Sequence, residues 1–283
     1  MQRRSSMKLK RNQIIVTVLK RKDIKVGLGI ITFFLIVALT SFIYMPYNPL
    51  ASTGPDYAPP SLSHLFGTTN IGQDVFSQWM YGARATLLVG FLTALISTII
   101  GTITGIIAAY FRLFDEPLMR ITDAVLALPT LPLLIVIAAF IKPSIYYVSL
   151  LIALLSWPAT ARVIRSNTLV LKSSPYIEVA LLSGTPWYKI LFKDFVKHLL
   201  PLILAYSMFA VIGAILTEAS LDFIGVGPLT DYSWGAMISF AFQNNAIYNG
   251  AWWWLIPPGL SIAILSTGFA LVGYGLEDTF RKR

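Results

Sequence analysis

Few side chains in this 283-residue sequence could act as nucleophiles, general bases or metal ligands. The two histidines, His64 and His198, lie far apart along the chain, and neither belongs to an HExxH or similar metal-binding pattern. Cysteine is absent, which excludes a thiolate nucleophile, a thiolate metal site and a disulfide. No glycine is followed by lysine, so the sequence also lacks the GxxxxGKS or GxxxxGKT loop that cradles phosphates. The sequence therefore predicts no catalytic, cofactor or metal site in this chain.

Three acidic residues beside long apolar runs are the remaining candidates for a chemical role. Glu218 and Asp222 lie one helical turn apart, and Asp123 directly precedes another apolar run. Acids next to a membrane pathway are functional candidates by default, so all three are candidate residues of a translocation pathway. Structural alternatives remain open. Glu218 and Asp222 could be solvated or hydrogen-bonded helix ends, and Asp123 could pair with Arg120 or reach a partner subunit.

The composition is that of a protein that crosses a membrane several times. Hydrophobic residues make up 56% of the chain and the mean hydropathy is +0.70. Only 12% of the residues are charged, against about 25% in soluble domains. Six apolar runs can each cross about 30 Å of hydrocarbon. They cover about Val26–Met45, Ala85–Phe111, Ala124–Ile141, Ser144–Ala161, Leu199–Thr217 and Trp252–Leu276.

These runs predict an all-α integral membrane protein with six transmembrane helices. Pro129 and Pro132 should kink the third helix. Gly101 and Gly105, four residues apart, should let the second helix approach a neighbour closely. Trp252, Trp253 and Trp254 are typical of an interfacial aromatic belt, with substrate stacking as the alternative. Because the interiors of the runs contain almost no ionisable side chain, a proton-coupled carrier is disfavoured.

Basic residues are distributed unevenly between the connecting segments. Met1–Lys25 carries nine lysines and arginines, and most of the others lie in Arg112–Asp123, in Arg162–His198 and at the C-terminus. Pro46–Ala83 and Asp222–Gly250 contain none. The positive-inside rule therefore predicts that both termini and the central loop are cytoplasmic. Nucleic-acid binding is a poor explanation of the +9 net charge.

This topology divides the chain into five parts, one of which contains the central loop. The expected parts are a basic cytoplasmic tail at 1–25, a first transmembrane helix at 26–45, an extracytoplasmic loop at 46–83, a five-helix core at 84–276, a cytoplasmic loop at 162–200 inside that core, and a cytoplasmic tail at 277–283.

The central loop predicts a short helix over Pro175–Ser183. Ser174 can cap it, Pro175 suits its first position and Gly184 suits its end. At about 13 Å it is too short to be stable alone, and its apolar residues surround nearly the whole helix, so we expect it to be buried against a partner protein. The alternative is an ordinary cytoplasmic loop.

A second short helix should follow, with Thr185 as its cap and Pro186 as its first residue. Apolar residues fall on one side of it at helical spacing, and lysines repeat every four residues on another. The apolar side contains Trp187, Ile190, Leu191 and Phe195, and the other side contains Lys189, Lys193 and Lys197. This pattern predicts an amphipathic helix along the inner membrane surface, in contact with membrane lipid.

Several motifs, in order from about Leu65 to Leu276, resemble the permease subunits of dipeptide and oligopeptide ABC importers. The central loop resembles their EAA motif, with EVA from Glu178 and the glycine at Gly184 in register, although Pro201 lies about four residues further from Gly184 than usual. GTTNIGQDV with YGAR resembles GTDxLGRDV with YGAR, apart from Gln73 in place of arginine. MRITD with LALP, SWPATARVIR, EASLDFIGVG and SWGAM resemble further motifs, with Thr160 where tyrosine is usual.

The resemblance implies the type I ABC importer permease fold and a set of functional positions. ATPase coupling would fall on Tyr176, Glu178, Val179, Ala180, Leu181 and Gly184, in a helix that sits in a cleft of an ATPase subunit. The extracytoplasmic motif would comprise Gly67, Gly72, Asp74, Arg84 and Trp234.

The same resemblance implies a transport subunit in a bacterial or archaeal cytoplasmic membrane rather than an enzyme. Its implied partners are a homologous second permease, two ATPases that bind ATP and magnesium, and an extracytoplasmic substrate-binding protein. The expected substrates are dipeptides or oligopeptides, with oligosaccharides or nickel complexes as alternatives. A carrier or channel that works without ATP is the rival class.

Overall fold

The computed structural model describes residues 21–140, 144–227 and 232–281, without the side chains of Leu181, Phe280 and Arg281. Helices are the only regular structure in this part of the chain, apart from two isolated β-bridges. They are α1 (Lys22–Ile43), α2 (Val75–Tyr110), α3 (Arg112–Ala127), α4 (Thr130–Ala138), α5 (Ile145–Lys172), α6 (Pro175–Leu182), α7 (Trp187–Lys189), a π-helix (Ile190–Phe195), α8 (Val196–Phe223), α9 (Trp234–Gln243), a 3₁₀ turn (Trp252–Trp254) and α10 (Ile256–Arg281).

Side-chain caps fix where three of these helices begin. Asp74 accepts a hydrogen bond from the Ser77 amide at 2.8 Å and so starts α2. Ser144 caps α5 and Ser233 caps α9 in the same way. Each cap satisfies a backbone donor that would otherwise lack a partner, which is why helix formation begins at that residue.

Within the described residues, five helical runs are long and apolar enough to cross a membrane, or six if α3 and α4 together form one broken span. The six predicted spans are confirmed in this sense. α3 and α4 meet at an angle of 80°. Leu128 is extended (ψ 134°) because the ring of Pro129 disfavours helical geometry in the residue before it, so the predicted kink is confirmed at Pro129. Residues 141–143, at the predicted end of this span, lie outside the described residues.

Most of the helices extend beyond their apolar runs. α2 begins at Val75, ten residues before the predicted start of the second span, so the end of the predicted external loop is helix. α5 continues to Lys172, and α1 already begins at Lys22, within the predicted tail. The boundaries differ because hydropathy reports only burial in hydrocarbon, whereas a helix continues until its backbone bonds are capped or broken. Most of the predicted tails, at 1–20 and 282–283, lies outside the described residues.

Glycines allow α2 and α5 to pack closely, as predicted. A Cβ atom at Gly101 would lie 2.7 Å from the carbonyl oxygen of Trp157, and one at Gly105 would lie 2.6 Å from that of Ala161. α1 meets α10 in a similar way, because a Cβ atom at Gly27 would lie 2.5 Å from the carbonyl oxygen of Gly268. The helical bundle is therefore held by backbone approach as well as by side-chain packing.

Candidate functional site

The connection between α5 and α7 contains the short helix α6, which begins at Pro175 as predicted and ends one residue early, at Leu182. Gly184 has a positive φ of 68°, and the Thr185 amide donates to the carbonyl oxygen of Ala180 at 3.1 Å. This is the Schellman arrangement that ends a helix. The predicted role of Gly184 as the stop is confirmed.

One side of α6 is anchored to the rest of the protein. Ile177 is only 2% exposed and belongs to an apolar cluster with Ile190 and Phe195. The Tyr176 hydroxyl donates to Asp194 Oδ1 at 3.0 Å. That carboxylate raises the pKa of Tyr176, so the hydroxyl keeps its proton and remains a donor. Both contacts bind α6 to the π-helix at the start of the fifth span.

The opposite side of α6 presents apolar side chains to solvent. Val179 is 61% exposed and Leu182 85% exposed, and Tyr176 is exposed apart from its bonded hydroxyl. Glu178 is also exposed, and it makes no side-chain hydrogen bond or ion pair with the residues that the structure describes. Exposed apolar groups on an anchored helix are characteristic of a surface that binds a partner.

The second predicted short helix is not a separate element. Trp187–Phe223 forms one helical run in which the π-helix joins α7 to α8. Thr185 and Pro186 precede its first residue, with no side-chain cap. The prediction that apolar side chains lie on one side of this segment and lysines on another is largely confirmed. Ile190, Leu191 and Phe195 are buried, Lys189 and Lys193 are exposed, and Trp187 is half exposed. The π-helix lies in the interval that is about four residues longer than in the family motif. A π turn accommodates about one extra residue without breaking the helix, so it accounts for part of this difference.

Ion pairs join α3 to α5 at this end of the bundle. Arg165 donates twice to the Asp115 carboxylate, at 2.5 and 2.7 Å. Arg162 donates to Asp123 at 2.6 Å. The predicted local pair between Asp123 and Arg120 is therefore wrong, because Arg120 pairs with Glu116 instead. Sequence spacing favoured the nearer arginine, whereas the packing of α3 against α5 brings Arg162 within reach.

At the other end of the bundle, Glu218 and Asp222 are 3% and 4% exposed. They are therefore not solvated helix ends. Asp222 accepts a hydrogen bond from the hydroxyl of Ser233, whose oxygen caps α9, so this acid joins α8 to α9. Oε2 of Glu218 and Oδ1 of Asp222 have no hydrogen-bond partner among the described residues. Asp222 also lines a cavity of about 290 Å³, together with Ser239 and Gln243.

The extracytoplasmic motif forms a compact cap over the ends of α2 and α10. Gly67 and Gly72 have positive φ values of 65° and 71°. Asp74 accepts from His64 Nδ1 at 2.9 Å besides capping α2. Metal-binding patterns treat His64 only as a possible metal ligand and do not predict this pair. Its position ten residues before an N-cap aspartate is the signal that could have found this pair.

Arg84 joins α2 to α1, and Trp234 joins α9 to α2. Arg84 Nε donates to the Ser41 hydroxyl at 2.5 Å, and its guanidinium lies 3.8 Å from the centre of the Phe42 ring. Trp234 is fully buried and donates from Nε1 to the carbonyl oxygen of Trp79 at 3.0 Å.

The predicted tryptophan belt is correct only for Trp252, which is exposed. Trp253 and Trp254 belong to the core, and Trp253 donates from Nε1 to the carbonyl oxygen of Thr68 at 3.2 Å. No group of three or more potential metal ligands occurs in the described ranges 21–140, 144–227 and 232–281.

A family model described as "Binding-protein-dependent transport system inner membrane component" matches residues 101–283. The chain belongs to this family of permease components. It is 34% identical over 267 residues to a Brucella suis protein described as "Putative peptide transport system permease protein", covering 94% of this chain and 89% of the relative. It is also 34% identical over 271 residues to a Sinorhizobium fredii protein described as "Probable peptide ABC transporter permease protein", covering 95% and 92%.

These findings confirm the resemblance on which the sequence interpretation depends. The protein is a multi-pass permease component of an ABC transporter in an inner membrane, and such components are not themselves enzymes. Membership of the family implies that an ATPase and a substrate-binding protein are partners.

Proposed function

We propose that this chain pairs with a homologous second permease to form the pathway of an ATP-driven peptide importer. α6 is the coupling helix, and its exposed stripe docks in a cleft of a cytoplasmic ATPase. This places both termini in the cytoplasm, in agreement with the distribution of basic residues. The chain binds no ATP or magnesium itself, and both belong to the ATPase subunits.

The observation that carries the proposal is the two-sided arrangement of α6. Val179 and Leu182 are exposed, while Ile177 is buried in the cluster that contains Phe195. A coupling helix requires both properties, because it must offer a surface to the ATPase and must also be fixed to the helices that it moves. Glu178 stands free on the same helix and can bind a basic or amide group of the ATPase.

Movement of α6 would pass to three transmembrane helices. Tyr176 and Ile177 hold it to the run that continues into α8. The preceding helix, α5, ends at Lys172, whose Nζ donates to the carbonyl oxygens of Ala109 (3.2 Å) and Tyr110 (2.8 Å) at the end of α2. A shift of α6 therefore displaces α8 directly and α2 through α5. Such rocking would open the pathway alternately to each side of the membrane.

The proposed substrate class follows from the two relatives reported above, both of which are described as peptide permeases. An extracytoplasmic binding protein would select the peptide and deliver it to the outer face. Asp123, Glu218 and Asp222 remain proposed pathway residues. Of these, Asp222 has the strongest support, because it lines a cavity and has an oxygen without a hydrogen-bond partner.

The docking of α6 can be tested with a matched pair of variants. Val179→Asp places a charge on the exposed stripe of α6, and Val170→Asp places the same charge on α5, where Val170 is 71% exposed. We expect Val179→Asp to remove the ATPase subunits from the purified complex, or to abolish transport, while Val170→Asp retains both. Equal effects of the two variants would contradict the docking model.

Substrate class is tested by reconstituting the complex with its binding protein in vesicles. We expect ATP-dependent accumulation of labelled short peptides, and none of oligosaccharides or nickel complexes. Uptake by this chain without ATPases would contradict the ABC mechanism.

A further inference from the structure

A cavity of about 290 Å³ lies between the end of α8 and α9, at the end of the bundle opposite α6. Asp222 of α8 lines it, together with the turn at Gly225 and, from α9, Ser239, Phe240 and Gln243. Gly225 and Gln243 are exposed, whereas Asp222 is buried. The cavity therefore leads from the surface of the protein to a buried carboxyl group.

The two carboxyl oxygens of Asp222 have different surroundings. Oδ2 accepts a hydrogen bond from the hydroxyl of Ser233, whereas Oδ1 has no hydrogen-bond partner among the described residues. Oδ1 lies against Gly227, where an added Cβ atom would overlap it, and Gly227 is itself part of the cavity wall. The oxygen without a partner is thus the one that faces the cavity. Because a buried carboxyl oxygen without a donor is costly, a ligand that supplies a donor would be stabilised here.

The charges at this end of the bundle favour a cation as that ligand. Glu218, one turn before Asp222, is also buried and also has an oxygen without a partner in the described structure. Asp222 lies in the last turn of α8, where the helix dipole adds partial negative charge. Two long segments at this end, Pro46–Ala83 and Asp222–Gly250, contain no lysine or arginine, and Arg84 is bound to α1. The compensating positive charge is therefore expected from another molecule.

The size and lining of the cavity favour an organic ammonium group over a metal ion. A bare ion would leave most of the volume empty, since one water molecule occupies about 30 Å³. Calcium takes about six to eight oxygen ligands, and the side chains of the described lining offer few. Gln243 donates from Nε2 to Ser239 Oγ at 3.0 Å, which leaves its amide oxygen as an acceptor. Phe240 adds an aromatic ring, a group that attracts organic cations.

We propose that this cavity binds the N-terminal ammonium group of the transported peptide, with Asp222 Oδ1 as its anionic partner. The ammonium group also donates to the amide oxygen of Gln243 and packs beside the ring of Phe240, while the rest of the peptide extends out through the opening. Every linear peptide with a free N-terminus carries this group, so such a site accepts peptides of different sequence. The inference rests on the proposed function, in which the substrates are peptides and this end of the bundle receives them.

The test measures peptide binding to the purified complex of permeases and ATPases by ligand-observed NMR, without the binding protein, so that selection by that protein does not contribute. The probes are trialanine amide and N-acetyl-trialanine amide, which differ in the charge of the N-terminus. Asp222→Asn removes the anionic partner, and the control Asp56→Asn removes the same charge from an exposed position in the segment 46–83. Phe240→Leu removes the ring from the cavity, and the control Phe242→Leu removes a ring of α9 that is 61% exposed.

We expect the unchanged complex to bind trialanine amide about tenfold more tightly than the acetylated peptide, which is the effect of one charge-assisted hydrogen bond. Asp222→Asn should abolish this preference, and Phe240→Leu should reduce it about threefold. Both controls should retain it. Thermal unfolding shows whether each variant is folded, and the comparison of the two peptides on the unchanged complex decides the matter even if Asp222→Asn does not fold.

Equal affinity for the two peptides, or a preference that Asp222→Asn retains, would overturn the proposal. A carbodiimide cross-link between Asp222 and a lysine of another subunit would also overturn it, because that side chain would then occupy the cavity. These outcomes leave the proposed function intact if the complex, with its binding protein, still accumulates peptides in vesicles. A complex that accumulates no peptide would contradict the proposed function, and this inference would fail with it.

Discussion

Tyr176 of α6 donates its hydroxyl hydrogen to Asp194 of the π-helix, across 3.0 Å. The two residues are eighteen positions apart in sequence and lie on opposite sides of the turn at Gly184. This hydrogen bond is a direct polar contact between α6 and the fifth transmembrane run. Asp194 is itself buried, so its carboxylate depends on this donor for compensation.

Replacing Tyr176 with phenylalanine should weaken coupling without removing the apolar contact. Loss of a hydrogen bond to a charged group costs about 1.5–3 kcal/mol when the group is buried, and we expect the lower end here because Tyr176 is half exposed. Transport per ATP hydrolysed should fall severalfold while the ATPases remain bound. Tyr188→Phe is the control, since Tyr188 is similarly exposed and donates no hydrogen bond within the described residues. A similar loss in both variants would show that the bond is not part of coupling.

Glu178→Gln tests whether this acid acts on the ATPase or only on its own helix. A carboxylate in the first turn stabilises a helix by about 0.3–1 kcal/mol through the helix dipole, so the isolated chain should change little in thermal stability. We expect ATPase affinity to decrease severalfold, measured by titrating the ATPase subunit onto the purified permease. An unchanged affinity would mean that Glu178 serves α6 alone.

Gly101→Ala should destabilise the packing of α2 against α5. Its added Cβ atom would lie 2.7 Å from a backbone oxygen that cannot move independently, and overpacking of this kind costs about 1–3 kcal/mol. Gly29→Ala in α1 is the control, since no atom lies within 4 Å of its Cβ position. Thermal unfolding of the chain in detergent should show a lower midpoint only for the first variant. A decrease for both would point to a general effect of removing glycine.

The two ion pairs between α3 and α5 should contribute differently to the stability of the protein. Arg165 and Asp115 are only partly exposed, at 29% and 28%, and share two hydrogen bonds, whereas Arg162 and Asp123 are more than half exposed. Exposed pairs contribute about 0–1 kcal/mol, while removal of one partner of a buried pair leaves an uncompensated charge. We expect Arg165→Gln to lower the unfolding midpoint clearly and Arg162→Gln to leave it nearly unchanged. The opposite order, in the same detergent assay, would contradict this assignment.

The sequence predicted helix ends and breaks correctly where these depend on a few adjacent residues. Pro175 and Gly184 mark the start and end of α6 because a proline at the first position and a glycine with positive φ are properties of a few adjacent residues. Pro129 predicted the break between α3 and α4 for the same reason. The family resemblance then supplied the functional meaning of α6, which the residues alone left open.

The sequence did not show which charged side chains pair when they lie in segments distant from one another. Asp123 pairs with Arg162 rather than Arg120, and His64 pairs with Asp74, because helix packing and the fold of the outer loop decide which charges meet. The merging of Trp187–Lys189 with the fifth span was also missed. Thr185 and Pro186 indicate the helix start to within one residue, but Thr185 does not cap it and Pro186 precedes its first residue. No residue pattern signals that the helix continues through a π turn.

The π-helix also absorbs a change of length at the start of the fifth span. A π turn holds about one more residue than an α turn, so removing a single residue between Ile190 and Phe195 should convert the turn to α geometry and leave Leu199 and Leu202 in the apolar cluster that they now occupy. Removing one residue from the regular helix after Phe195 would instead rotate the helix beyond it by about 100°, including Asp222, more than twenty residues later in the same run. The irregular turn beside α6 is thus the place where this run tolerates a change of length without reorienting the buried acid at the other end of the bundle.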